Sequence, residues 1–323
     1  MWSLQAKMCL LMAAFFAILY MIVTVIGVSI GITNFNFYLF VSLGIMFLQY
    51  MIGPKMVEWS MRVKYVEKSE HPKLHQMVEE LAQKAGIPKP RVGIAQIPIP
   101  NAFAFGRSLS DGRMCVTEEI LQLLDENELR AVIGHEMTHL KSRDVVTITL
   151  LSVIPMILYR IYWNTMFFGY GRSRERNGAN MALIGFVAFL FYFVTNLLVL
   201  YASRLREYFA DQGSVRLGNR PEWLASGLYK LVYGSARMDK ETLKEAEGLK
   251  AFFLNDPSRA LNEIRELREL DLDRSGTIDA GELLRLQAKD IKLSFADKSL
   301  EMLSTHPNML KRIKQLSTYE AGG

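Results

Sequence analysis

The sequence predicts a mainly α-helical membrane protein. About four transmembrane helices are expected, with an α+β domain in which a small sheet accompanies a helix carrying H-E-x-x-H, and a further helix-loop-helix. Three observations predict this. The 323-residue chain is 22% charged, yet long stretches of it hold no charge at all. His135 and His139 stand i, i+4 around Glu136, which places both imidazoles on one helix face. Segment 271–282 carries oxygen-bearing side chains at the spacing of a calcium loop.

The first uncharged stretch runs from Met8 to Pro54, 47 positions. That is about twice the ~20 residues one spanning helix needs. Polar and turn residues at 31–36 divide it, so two transmembrane helices are expected at about 8–31 and 37–54, making 1–54 the first membrane segment. The run is too long for a signal-peptide core and lacks a small-residue cleavage site.

Residues 55–144 read as the first half of a soluble domain. Leu74, Met77, Val78, Leu81 and Ala82 recur with helical period, and Gly86 and Pro88 close that helix. Arg91–Ile97, Phe103–Phe105 and Arg113–Val116 read as short strands. Asp125, with Glu128 three residues on, forms a capping-box pattern at the start of the H-E-x-x-H helix.

Residues 145–203 hold the third and fourth hydrophobic segments. Arg160 interrupts the third, whereas 177–203 is uncharged over 27 positions. Spanning is favoured over a hairpin in one leaflet. Lys7, Lys55, Arg62, Lys64, Lys68, Lys141, Arg143, Arg204 and Arg206 then fall on one side, against Arg172, Arg174 and Arg176 on the other. The majority places the termini and the metal helix in the cytoplasm, with the chain multi-pass in the inner (plasma) membrane. The net charge of +5 sits beside apolar blocks, which speaks for membrane topology and against a nucleic-acid partner. Cys9 and Cys115 form neither a disulfide framework nor a C-x-x-C site and read as packing residues.

A catalytic zinc takes three protein ligands and keeps one position open. His135 and His139 supply two, and Glu136 is placed to take a proton from water. His71 and His75 repeat the i, i+4 spacing but lack the following carboxylate, so they read as an ordinary helix face. Glu207 and Asp211 are again i, i+4. Spacing alone leaves them open between a ligand with its supporting carboxylate and a solvated helix surface.

Taken in order, the motifs resemble the HtpX-type membrane zinc endopeptidases, a family that also includes the CaaX prenyl proteases. They are Asn101-Ala102-Phe103-Ala104, the H-E-x-x-H helix, Asp144, then Ser203-Arg204-x-Arg206-Glu207-x-x-Ala210-Asp211, and Thr305-His306-Pro307 with Arg312. The likeness covers nearly the whole chain. It implies a zincin-like metallopeptidase domain completed by 204–323, with zinc held by His135, His139 and Glu207 and Glu136 as general base. It also implies that Asp211 and Asp144 support the ligands, and that His306 and Arg312 stabilise the oxyanion. The 101–104 strand is expected to pair with extended substrate backbone, with polypeptides, membrane proteins above all, as substrates.

The stretch 271–282 lies outside that resemblance. Asp271, Asp273, Ser275, Thr277, Asp279 and Glu282 occupy positions 1, 3, 5, 7, 9 and 12 of an EF-hand-like loop, with Gly276 at the turn. Leu261–Leu270 and Leu283–Ala288 read as its flanking helices, giving a calcium-binding region at 259–290. An unpaired loop leaves pairing across two chains, and hence an oligomer, open. The expected function is zinc-dependent endopeptidase action in protein quality control, modulated by Ca²⁺. A CaaX-type prenyl protease is the alternative within the class, and about four hydrophobic segments argue against it. A calcium-responsive membrane adaptor with an inactive peptidase fold is the alternative outside it, and the intact ligands and base argue against that.

Overall fold

The computed structural model describes residues 51–144, 178–236, 269–289 and 295–319, with scattered positions between them. The span expected at 8–31, the part of the span expected at 37–54 that precedes residue 51, and most of 145–177 lie outside the described residues. The chain divides into two compact units, residues 1–52 with 146–205 and residues 53–145 with 206–323.

Helix α1 (51–60), in the second unit from Gly53 on, leads into strand β1 (Val63–Tyr65). Helix α2 (Pro72–Ala85) follows and ends at Gly86, whose φ of +69° is the left-handed conformation that terminates helices. Strands β2 (Arg91–Ala95), β3 (Ala102–Phe105) and β4 (Arg113–Thr117) then join β1 in a sheet of order β1-β2-β4-β3. β1 is antiparallel to β2, β2 parallel to β4, and β3 antiparallel to β4. β3 is therefore an edge strand. At three residues, β1 is too short to show a two-residue period, and sequence patterning passes over it.

Helices α3 (Glu118–Leu123) and α4 (Glu126–Lys141) follow the sheet. Helix α6 (Pro221–Ala236) packs on α4, and α7 (Ala280–Ala288) and α9 (Met309–Leu316) pack on α6; α8 spans Phe295–Met302. One core joins Leu81 of α2, Ile94 of β2, Met114 of β4, Val132, Ile133 and Met137 of α4, Leu224, Leu228 and Leu231 of α6 and Ile313 of α9, all at most 2% exposed. Burying such side chains contributes about 1.5–3 kcal/mol each, which holds the sheet, α4 and the C-terminal helices as one body.

Helix α5 runs from Gly178 to Arg216, 39 residues. It is the one helix among the described residues long and apolar enough to cross a membrane. In the first unit its Ala188, Val199 and Ala202 are buried with Ile154 and Leu158, while Leu183, Phe186, Phe189, Leu190 and Phe193 stay exposed.

Candidate metal centre and active site

The α4 helix is fixed at its start. Asp125 Oδ1 accepts from the backbone N–H groups of Asn127 and Glu128, both at 2.9 Å, and Glu128 Oε2 accepts from Asp125 N–H at 2.9 Å. The expected capping box is thus formed. Glu128 also accepts from Ser226 Oγ and Lys230 Nζ of α6 at 2.6 and 2.7 Å.

Within the H-E-x-x-H turn, α4 meets the Arg206–Arg216 end of α5 at very close range. A Cβ on Gly213 would stand 2.2 Å from Thr138 Cγ2, and one on Gly134 would stand 2.4 Å from Asn219 Nδ2. Ser214 Oγ donates to Ala131 O at 2.6 Å, and Asn219 Nδ2 donates to Ser214 Oγ at 3.1 Å. Only hydrogen fits at Gly213 and Gly134, so the two backbones approach closely and bring Glu207 and Asp211 beside the histidines.

His135 Nε2 and His139 Nε2 lie 3.1 Å apart. Glu207 Oε2 is 3.6 Å from His135 Nε2, and its Oε1 is 3.5 Å from His139 Nε2. Ligand atoms bound to zinc at about 2.0–2.1 Å in a tetrahedron stand about 3.3 Å from one another. The three donors therefore fit one zinc ion. Glu207 Oε2 and both ring nitrogens of His306 are buried without a well-aligned hydrogen bond, as groups facing a metal pocket are.

Glu136 also belongs to a set that can hold a metal with His135 and His139. Its Oε2, however, accepts from the Ala104 N–H of β3 at 3.0 Å. Both Glu207 oxygens, in contrast, face the two Nε2 atoms. Glu207 is the better placed third donor on this geometry, and Glu136 stands beside the pair. Burial raises the Glu136 pKa above the usual carboxylate value.

Each histidine is oriented from behind. His135 Nδ1 is 2.8 Å from Asp211 Oδ1, and His139 Nδ1 is 2.5 Å from Asp144 Oδ2. Such carboxylates set which nitrogen faces the metal. Burial pulls the His139 pKa down, but hydrogen bonds to Asp144 and Glu207 outweigh it and push it up to about 10. His135 is raised likewise, burial being outweighed by Asp211 and Glu207. Arg206 Nε sits 3.0 Å from Asp144 Oδ1. Arg206 stands both among the basic residues flanking the apolar blocks and in the Glu207 motif, and neither place by itself points to Asp144.

His306 Nδ1 is 3.4 Å from Glu207 Oε2, so its ring reaches the centre from the segment preceding α9. Arg312, fully buried, donates from Nε and Nη2 to Asp211 at 3.0 and 2.7 Å, and its Nη1 is 3.1 Å from Glu207 Oε2. Its guanidinium meets carboxylates, where the expectation was an oxyanion donor.

Asn101 lies one residue before β3, fully buried, and its carbonyl accepts from Thr117 N–H at 2.9 Å. Residues 101, 103 and 105 therefore point their backbone groups at β4. In an antiparallel pair the alternate residues, Ala102 and Ala104, direct theirs to the open edge. Phe103 turns into a cluster with Val57, Met61, Phe105 and the buried Cys115.

In the 271–282 loop, Asp271, Asp273 and Glu282 converge closely enough to hold a cation. Asp271 accepts from Ser275 and Gly276 N–H at 2.9 Å each, Asp273 Oδ1 from Ser275 N–H at 2.9 Å, and Glu282 Oε1 from Leu272 N–H at 2.6 Å. Asp279 and Glu282 cap α7. Ser275 Oγ pairs with Thr277 Oγ1 at 2.9 Å. Gly276 has a φ of +81°, and α7 leaves the loop as expected. His75 Nε2 pairs with Val66 O at 3.0 Å, so His71 and His75 stay outside the centre.

Residues 68–320 match the model of peptidase family M48. The chain is 52% identical over 231 residues to "Protease HtpX homolog" of Methanothermobacter thermautotrophicus, covering 72% of this chain and 86% of the relative. It is 38% identical over 268 residues to the protein of that name from Moorella thermoacetica, covering 82% and 89%. A crystal structure of S. mikatae Ste24p aligns with 97% of this chain and 65% of that one, at 18% identity and a TM-score of 0.48. The family match spans the metal helix, its partner carboxylates on α5 and the His306 segment together, and with these relatives it shows that the chain belongs to peptidase family M48.

Proposed function

We propose that this M48 membrane metalloprotease holds zinc through His135, His139 and Glu207 and hydrolyses peptide bonds of membrane or misfolded proteins at the cytoplasmic face of the inner membrane. The observation that carries the reading is the convergence of those three donors, each histidine backed by its own carboxylate, beside Glu136. Zinc, when bound there, supplies a Lewis acid that lowers the pKa of water and polarises the scissile carbonyl. Glu136 takes the proton from the attacking water and delivers it to the leaving amine. Its tie to Ala104 N–H holds it against the strand along which the substrate lies. Substrate backbone pairs with the open edge at Ala102 and at the Ala104 carbonyl, the Ala104 N–H being held by Glu136, after Asn101 and Phe103 have anchored the strand; this selects extended segments with little regard to side chain. The His306 imidazole, whose Nδ1 lies 3.4 Å from Glu207 Oε2, faces the centre and donates to the oxyanion. Arg312 positions Asp211 and Glu207. The exposed apolar side chains of α5 support a lipid surrounding.

Glu136→Gln tests the reading: cleavage of unfolded protein should fall by about 10³-fold or more while zinc stays bound. Zinc-loaded Glu136→Gln cutting as fast as wild type sinks it.

The loop 271–282 is proposed to bind Ca²⁺ through Asp271, Asp273, Ser275, Thr277, Asp279 and Glu282, on the twelve-residue spacing and the converging carboxylates. Pairing of this loop between two chains would make the protein an oligomer; a strictly monomeric mass in detergent with Ca²⁺ present rules that out.

A further inference from the structure

Helix α1 is apolar on two opposite faces. On one, Pro54, Val57 and the adjoining Met61 are buried, Val57 and Met61 against Ala95, Phe103, Phe105 and Cys115. On the other, Ile52, Met56 and Trp59 follow at i, i+4, i+7 and are 43%, 60% and 84% exposed. A second apolar face on a helix whose first is already buried is a contiguous apolar patch, the kind that marks an interaction surface. Trp59 is the most exposed large apolar side chain among the described residues.

The charge on this stretch is one-sided. Between 51 and 66 the single carboxylate is Glu58. It is turned inward, accepting from Tyr65 Oη at 2.5 Å and Arg113 Nε at 2.7 Å. Lys55, Arg62 and Lys64 are exposed. The outer surface thus offers a Trp–Met stripe flanked by cations, with the only anion withdrawn. The chain leading into α1 carries no charge back to Met8, a run long enough to span. Trp at the polar–apolar boundary with basic residues beside it fits the headgroup layer of an anionic bilayer.

We propose that the Met56–Trp59 face of α1 is a membrane-interface anchor, with Trp59 seated among the headgroups and Lys55, Arg62 and Lys64 facing lipid phosphates. The second unit then docks on lipid through its own surface, in addition to any spanning segment. This rests on the membrane placement proposed above.

The test uses the full chain in phosphatidylcholine vesicles with and without phosphatidylglycerol, some lipids brominated beside the headgroup and others near the chain end. Subtracting the emission of Trp59→Phe from that of wild type isolates Trp59 from the other three tryptophans. Trp59 should be quenched more by shallow than by deep bromine, and more with phosphatidylglycerol. Replacing Lys55, Arg62 and Lys64 together by Gln should remove the phosphatidylglycerol effect. Trp59 quenched by aqueous iodide and untouched by either bromolipid overturns the proposal. So does Trp59 shielded from all three quenchers, which would mean a second copy or another part of this chain covers it. Alkaline extraction separates the two readings: a carbonate-resistant chain with unquenched Trp59 fails only the anchor, whereas an extractable chain with shallow quenching fails only the integral placement.

Discussion

Arg312 carries more of the centre than its place in the sequence suggests. It brings a positive charge, with no exposure to water, against two carboxylates. Removing one partner of such a group leaves uncompensated buried charge, typically costing 3–5 kcal/mol. Arg312→Met should therefore lower zinc affinity and the melting temperature together, whereas an oxyanion donor would cost turnover with zinc affinity intact. Zinc titration of the variant against wild type decides between them. Away from the centre, Asp111 is buried enough to raise its pKa, but Arg107 and Arg113 at 2.8 and 3.1 Å outweigh that and hold it well below the usual carboxylate value. A carboxylate depressed in the folded state stabilises fully above its unfolded pKa of about 3.9, and that stability is lost as pH falls toward the folded value. Melting temperature measured from pH 5 downward should drop less steeply in Asp111→Asn than in wild type, the variant being less stable at neutral pH.

Two helices make the site, and their crossing is set by the absence of side chains. Gly213 lies against Thr138 and Gly134 against Asn219, with Ser214 hydrogen-bonded across to Ala131. A methyl group at Gly213 has to push α4 and α5 apart, at about 1–3 kcal/mol for overpacking. Because the displaced helices carry His139 and Glu207, Gly213→Ala should also loosen zinc. Thr138→Ala, which removes both the Cγ2 and the Oγ1 that block, should recover part of the loss in a double variant, and a Gly213→Ala chain with wild-type melting temperature and zinc affinity would refute the crossing as the controlling feature. The start of α4 was legible in advance, since Asp125 and Glu128 are local partners three residues apart. The crossing was not, because glycines 79 residues apart announce no contact until the helices are packed.

At the scale of the whole catalytic unit, the loop at 271–282 reaches the metal helix through α6. Tyr229 Oη donates to Asp271 Oδ2 at 3.0 Å, while Ser226 and Lys230 of the same helix hold Glu128 at the start of α4. Ca²⁺ taking Asp271 would compete with Tyr229 and so reach the α4 N-terminus. Peptidase activity of the zinc-replete chain should differ with and without Ca²⁺, and Tyr229→Phe should shrink that difference; equal activities in wild type would end the idea of calcium modulation.

What the sequence determined by itself was whatever depends on short separations or on composition. His135, Glu136 and His139 share a helix turn, Asp125 caps that helix, Pro and Gly bound the short strands, and the uncharged block 177–203 marks an apolar helix, all of them readable from neighbours. The ordered motifs added Glu207, Asp211, Asp144 and His306 by resemblance, since spacing alone left Glu207 between ligand and solvated surface. Tertiary structure decided the rest. It set both Glu207 oxygens at 3.5–3.6 Å from the two imidazoles, bound Glu136 to Ala104 at the edge of the sheet, and engaged Arg312 with carboxylates. These are distances between residues far apart along the chain. They exist only after burial of one apolar core has brought α4, α5, β3 and α9 together, and no local pattern encodes them.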